Sequence, residues 1–253
     1  MPRNRNRRGL ELGVMLLMWD LMNVGLTHIP PVTLFTIFGQ ALLYAGIINP
    51  PWSKLDVCIS ARSVMKGKDY RRLFLSALEH GDDMHLYYNM ISFLMKGRSL
   101  ERRYGSPNFA FLLIVLSLLT SVTYVALGVL GELVFDDSYY ATVCAIGFSG
   151  VIFALKVVTS AEEAPGMTMV GGVMLPLKYA TWAELVLIHL LVPRSSFMGH
   201  LAGILAGLAY AKTPLGALTD SAITAITGDA PPSAGSVKPN PPWFLDVTVS
   251  SPK

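Results

Sequence analysis

Charge is scarce in this chain. Only 15% of its 253 residues are Asp, Glu, Lys or Arg, 52% are hydrophobic, and the mean hydropathy is +0.48. That balance excludes an ordinary soluble domain and indicates a polytopic membrane protein. Cysteine is scarcer still. Cys58 and Cys144 alone give no disulfide framework, and a single bridge requires that both face one oxidising lumen. No secretory leader is evident: Arg3, Arg5, Arg7 and Arg8 look like a basic n-region, but Glu11 and Asp20 interrupt the apolar stretch that follows and no small-residue cleavage site comes after it. The net charge of +3 is modest, and its basic residues lie mainly between apolar runs, which suits lipid headgroups rather than nucleic acid. Two protease signatures are also missing. There is no H-E-x-x-H, so His80, Asp82, Asp83 and His85 do not read as a metal site. Nor is there a G-x-G-D run, since Gly131 is followed by Glu132. No metal and no cofactor is expected.

What the chain does have is apolar length. Hydropathy predicts an all-α core of six transmembrane spans, at about 31–48, 84–100, 108–130, 147–159, 179–192 and 197–211. The stretch 10–26 is apolar but carries Glu11, Asp20 and Asn23, which predicts a helix at the interface or packed on the core, with a seventh span as the alternative. This divides the chain into a basic N-terminus with an interfacial helix (1–30), a membrane domain (31–213) and a tail (214–253) rich in Pro, Ser, Gly and Thr that is expected to be disordered. The positive-inside rule places Lys96, Arg98, Arg102, Arg103, Lys156, Lys178 and both termini in the cytosol, although Lys66, Lys68, Arg71 and Arg72 in the loop 50–83 fall on the other side.

Polar residues at membrane depth are functional candidates, because they are costly unless they face protein or water. Ser149 stands between glycines in Gly147-Phe148-Ser149-Gly150, and His200 follows a glycine in Gly199-His200-Leu201-Ala202-Gly203. A serine becomes a nucleophile when a base within hydrogen-bond reach takes its proton, and a neutral imidazole can do so near neutral pH. Gly147, Gly150, Gly199, Gly203 and Gly207 supply the small surface that would let two helices approach; the alternative is that they only pack and that Ser149 and His200 bond to carbonyls. His85 and Asn89, four apart, share one helix face and can both donate to a developing oxyanion. The fourth span is too short to cross a bilayer alone, so 142–146 should descend as irregular chain into a hydrated lumenal pocket lined by Ser149, His200, His85 and Asn89. Glu184 and His189 in the fifth span could form a polar contact that gates substrate entry, read polar residues in a substrate helix, or be a buried pair satisfied by neighbouring helices, which is the favoured reading.

In order, His85-x-x-x-Asn89, Gly147-x-Ser149-Gly150 and His200-x-x-Gly203-x-x-x-Gly207 resemble the motifs of the rhomboid intramembrane serine proteases, as do Leu100-Glu101-Arg102-Arg103-Tyr104-Gly105-Ser106 and Ala77-Leu78-Glu79-His80. The resemblance covers about 68–212. It implies a six-helix core, a Ser149–His200 dyad without a third acid, an oxyanion hole at His85 and Asn89, transmembrane proteins as substrates, and no cofactor. Ile29-Pro30-Pro31-Val32-Thr33 and the run 147–156 look most like the endoplasmic-reticulum branch, whose members cleave unstable membrane proteins. That branch's tail motifs for ubiquitin and an extracting ATPase are not visible after Pro214, and Phe153 stands where many rhomboids have Tyr. A catalytically silent rhomboid-fold protein that binds and delivers membrane clients is the alternative; such proteins lose the Ser or His that this chain keeps.

Overall fold

The computed structural model describes residues 11–192 and 195–228. Helices α1 (Leu12–Val24) and α2 (Pro31–Tyr44) come first. Three short helices, α3 (Lys54–Val57), α4 (Ala61–Met65) and α5 (Arg72–Leu75), lead to the long α6 (Asp83–Tyr104) and α7 (Ser106–Phe135). The short α8 (Tyr139–Thr142) precedes α9 (Ser149–Glu162), a hairpin β1 (Met167–Val170) and β2 (Val173–Pro176), then α10 (Leu177–Leu191), α11 (Phe197–Lys212) and α12 (Pro214–Thr227). A helix therefore stands over each of the six expected spans. Among the described residues only α7 is by itself long and apolar enough to cross a bilayer; the others are shorter or carry charge.

α6 organises the bundle. Asp82 caps its start by accepting from the His85 backbone N–H at 2.8 Å, and Gly105, at φ 78°, ends it. Near the Tyr104 end the buried Glu101 carboxylate accepts from Val32 N (2.8 Å), Thr33 N (2.7 Å), Thr33 Oγ1 (2.7 Å) and Ser106 Oγ (2.7 Å). A carboxylate held at the N-terminus of α2 satisfies donors that the helix itself leaves free. The same contact starts α2 at the Tyr104 end of α6, so the two helices run antiparallel.

Of the positions expected for α1, the structure shows it packed on the core. Gly13 N donates to Asp83 Oδ2 at 2.9 Å, Tyr87 Oη donates to Asp20 Oδ2 at 2.9 Å, and the His28 carbonyl, just past α1, accepts from Arg102 Nη2 at 2.6 Å. α1 and the turn after it therefore run parallel to α6 along most of its length, with Leu17 and Leu21 buried and Trp19 and Met22 on the outer face. A side chain at position 13 would meet the Asp83 carbonyl at 2.3 Å, which is why glycine stands at that crossing. The two acidic groups that argued against a crossing are bonded: Glu11 accepts from Tyr44 and Asp20 from Tyr87. Glu11 and Pro214 consequently stand at opposite ends of the bundle. The four N-terminal arginines lie outside the described residues.

The tail is corrected in part. Residues 214–227 form α12, bent 75° from α11 and docked by Tyr210 Oη to Asp220 Oδ1 (2.6 Å) and Thr227 Oγ1 to Asn108 Oδ1 (2.8 Å). The remainder of the tail, with its Pro-Pro pairs, lies outside the described residues. Cys58 and Cys144 form a disulfide, and Ile59 and Ala145 beside them exchange backbone hydrogen bonds, so the segment before α9 is fastened to the loop before α4.

Candidate active site

Ser149 is the first residue of α9 and His200 the fourth of α11, and the two meet: His200 Nε2 lies 3.0 Å from Ser149 Oγ. Glycine makes that approach possible. A Cβ at Gly203 would sit 2.0 Å from the Gly150 carbonyl oxygen, one at Gly207 2.7 Å from the Ala154 oxygen, and one at Gly150 3.0 Å from the Gly199 oxygen. Backbone thus lies against backbone along the α9–α11 seam. Gly199 gives its carbonyl to that seam, while the space beside its own Cα is closed by Ser196, the cap of its helix, at 3.0 Å. One of the five expected packing glycines acts otherwise. Gly147 precedes α9 with φ 123°, a conformation side chains avoid, and a Cβ there would meet His85 Nε2 at 2.9 Å.

That contact brings the second motif to the serine. His85 Nδ1 accepts from the Gly81 backbone N–H at 3.3 Å, which leaves the ring proton on Nε2, the atom beside Gly147. Asn89 is buried, and its Nδ2 finds no hydrogen-bond partner among the described residues. Two N–H donors are therefore turned toward the peptide just before Ser149, one of them unused. A buried unsatisfied donor is costly and calls for an acceptor. The start of α9 adds its own free N–H groups. His200 is buried, stacked on Phe153 (centroids 4.6 Å apart, planes 21°), and its Nδ1 has no partner among the described residues. With the His200 proton on Nδ1, Ser149 Oγ–H donates to Nε2.

Irregular chain precedes Ser149, though at 143–148 rather than the expected 142–146, because Thr142 closes α8 and α9 begins only at Ser149. A cavity of about 40 Å³ opens beside it, enough for ordered water. Its walls carry the hydroxyls of Ser76, Ser117, Thr120, Ser121, Ser149 and Ser196. His85, Asn89 and His200, expected in that lining, are not part of it. Glu184 and His189 are each met by a neighbouring helix, as the favoured reading has it: Glu184 bonds Lys156 of α9, and His189 stands edge-on to Phe197 of α11 at 5.2 Å. Lys156 is accordingly an internal charge and no loop marker of orientation. Nothing in the spacing of single motifs announced this pairing, although Ser149, Phe153 and Lys156 fall at i, i+4 and i+7 on one face of a helix. Among the described residues no three His, Cys, Asp or Glu side chains gather as a metal would need; His80 instead lies edge-on to His85 at 5.2 Å. In the surface loop, hydrogen bonds from Arg71 and Arg72 hold the Asp69 carboxyl down at about 2.

Fold and site together define a mostly helical membrane protein with a hydrogen-bonded serine and histidine inside its helix bundle. A family model of the rhomboid domain matches residues 67–216. The chain is 42% identical to Rhomboid-related protein 4 of Mus musculus over 230 residues, 90% of this chain and 72% of that protein. It is also 42% identical to Rhomboid-like protein 14, mitochondrial, of Arabidopsis thaliana over 187 residues (72% and 56%). With Rhomboid-type serine protease 2 of Eremothecium gossypii it shares 32% identity over 142 residues (55% and 50%). This chain belongs to the rhomboid family.

Proposed function

We propose that this protein is an intramembrane serine protease that cuts peptide bonds in or beside transmembrane helices of other membrane proteins. The observation that carries the reading is the 3.0 Å contact between Ser149 Oγ and His200 Nε2, a nucleophile already seated on its base. Ser149 attacks the scissile carbonyl while His200 Nε2 takes its proton. The carbonyl oxygen, now anionic, accepts from Asn89 Nδ2–H and His85 Nε2–H. Collapse breaks the C–N bond, and the imidazolium returns the proton to the leaving amine. Water from the hydroxyl-lined cavity then attacks the acyl ester, again with His200 as base, and restores Ser149. His200 acts without a third acid in this scheme.

The same reading turns the Asp83 end of α6, where Ser149 lies, toward an oxidising lumen. The Cys58–Cys144 disulfide at that end supports this, since such bonds persist in oxidising compartments. Arg102 and Arg103 at the other end support a cytosolic face there. The endoplasmic reticulum is the organelle proposed, with removal of unstable membrane proteins as the task. α1 then makes a seventh crossing and brings Glu11 to the lumenal side.

The test is covalent labelling. A fluorophosphonate probe should mark the wild-type protein in membranes, and Ser149→Ala and His200→Ala should each abolish both labelling and cleavage of a co-expressed membrane substrate. The double variant should lose little more, because the pair acts as one unit. Wild-type cleavage by purified Ser149→Ala protein would refute the protease reading at this serine, whereas a wild type that binds a membrane substrate but neither labels nor cleaves would favour the client-binding alternative.

A further inference from the structure

The dyad and its donors leave two charges inside the bundle without a task. Lys156 lies midway along α9 and Glu184 midway along α10, with side chains 12% and 30% exposed, and the ammonium donates to Glu184 Oε1. At that depth an ion pair is a poor device for stability. Each charge costs several kcal/mol to bring out of water, and a well-packed apolar pair usually serves as well or better. Its presence calls for a second purpose.

The surroundings supply one. Lys156 Nζ stands 5.2 Å from the centre of the Phe153 ring, and that ring is stacked on His200 at 4.6 Å. Ser149, Phe153 and Lys156 occupy successive turns of one face of α9, so nucleophile, platform and cation form a column. α10 reaches this column in two ways: its buried Leu185 packs in one apolar cluster with Phe153, and Glu184 adds the charged contact to Lys156. During the reaction His200 becomes an imidazolium, which the face of Phe153 stabilises. An unpaired ammonium at the same ring would oppose that charge; Glu184 cancels it.

We infer that Lys156 and Glu184 are positioning residues for the catalytic base, an intramembrane ion pair that fixes Phe153 against His200 and ties α10 to the dyad. The inference rests on the protease reading of the same site. Removing the pair leaves substrate contacts intact and disturbs the base, so turnover falls while KM holds.

The experiment uses the full chain in lipid vesicles and reads three quantities: the rate of fluorophosphonate labelling at Ser149, kcat and KM for a membrane-anchored fluorogenic peptide, and the melting temperature. Glu184→Gln and the double variant Lys156→Met with Glu184→Leu should lower labelling and kcat roughly 10- to 100-fold, as expected for a misplaced base, with KM within about twofold. Lys156→Arg, which keeps a cation over the ring, should retain most of kcat. The double variant should melt no lower than wild type. Wild-type kcat and labelling in the double variant would overturn the inference. So would losses of kcat that simply track falling melting temperatures, which is what a structural pair predicts. Wild-type protein that does not react with the probe at all overturns the protease reading and this inference with it; a wild type that reacts no faster than the double variant overturns this inference alone.

Discussion

One added methyl group should dismantle the site. Gly203 lies three residues beyond His200 on α11, and a Cβ there would sit 2.0 Å from the Gly150 carbonyl oxygen, next to Ser149 on α9. The obstacle is backbone, so no rotamer change relieves it. To restore ordinary contact, α9 and α11 must separate by roughly 1 to 1.5 Å. The Ser149–His200 distance, 3.0 Å in the native bundle, would then pass beyond hydrogen-bond reach. Gly203→Ala should therefore lower kcat by about 100-fold, the scale of a 1 Å misplacement, and destabilise the bundle by about 1–3 kcal/mol through overpacking. Gly39→Ala in α2 is the control, because a Cβ there meets nothing within 4 Å. The assay is cleavage of a membrane-anchored substrate by reconstituted protein, with thermal melting measured in parallel. If Gly203→Ala cleaves at the wild-type rate and melts at the wild-type temperature, the close α9–α11 seam does not set the dyad, and the argument from glycine spacing fails.

Other expectations follow from the same geometry. Asn89→Ala should reduce turnover about 100-fold, near 3 kcal/mol of transition-state stabilisation, with binding of a substrate helix almost unchanged; a parallel loss of binding would make Asn89 structural. Breaking the Cys58–Cys144 bond with Cys58→Ser should cost about 2–4 kcal/mol, as expected for a cross-link closing a long loop, and reductant should lower the melting temperature of the wild type but not of the variant. A cysteine placed at position 149, with the paired Cys58 and Cys144 left in place, should react with a membrane-impermeant thiol reagent from the lumenal face and not from the cytosol. Labelling from the cytosol alone would reverse the orientation. An epitope fused ahead of Met1 should be protected from cytosolic protease if α1 crosses the bilayer; its digestion in sealed membranes would return α1 to a re-entrant or interfacial position.

Much of this protein is legible in its sequence, and the reason is local. Apolar runs, Pro and Gly boundaries and the i, i+4 spacing of His85 and Asn89 are properties of neighbouring residues, so they fix helices and faces without knowledge of the fold. The motifs around Ser149 and His200 likewise announce a serine, a base and the small residues that would let them meet. Partnership across the bundle is another matter. Glu11 and Asp20, just before and within α1, read as unpartnered acids until Tyr44 and Tyr87 are seen to donate to them. Residues 214–227 look like loose tail by composition, yet Asp220 and Thr227 find Tyr210 and Asn108 and the stretch folds. Glu184 is expected to be satisfied by a neighbouring helix, but only the fold names Lys156 as the partner. Cys58 and Cys144, 86 residues apart, pair only because the chain before α9 is drawn against the loop before α4. Each of these is decided by which polar group a buried one finds nearby, and distance through space is what a linear pattern does not contain. The sequence by itself determined the helices, the family and the serine and histidine that meet; tertiary contact decided where the costly charges go and which glycine holds the seam.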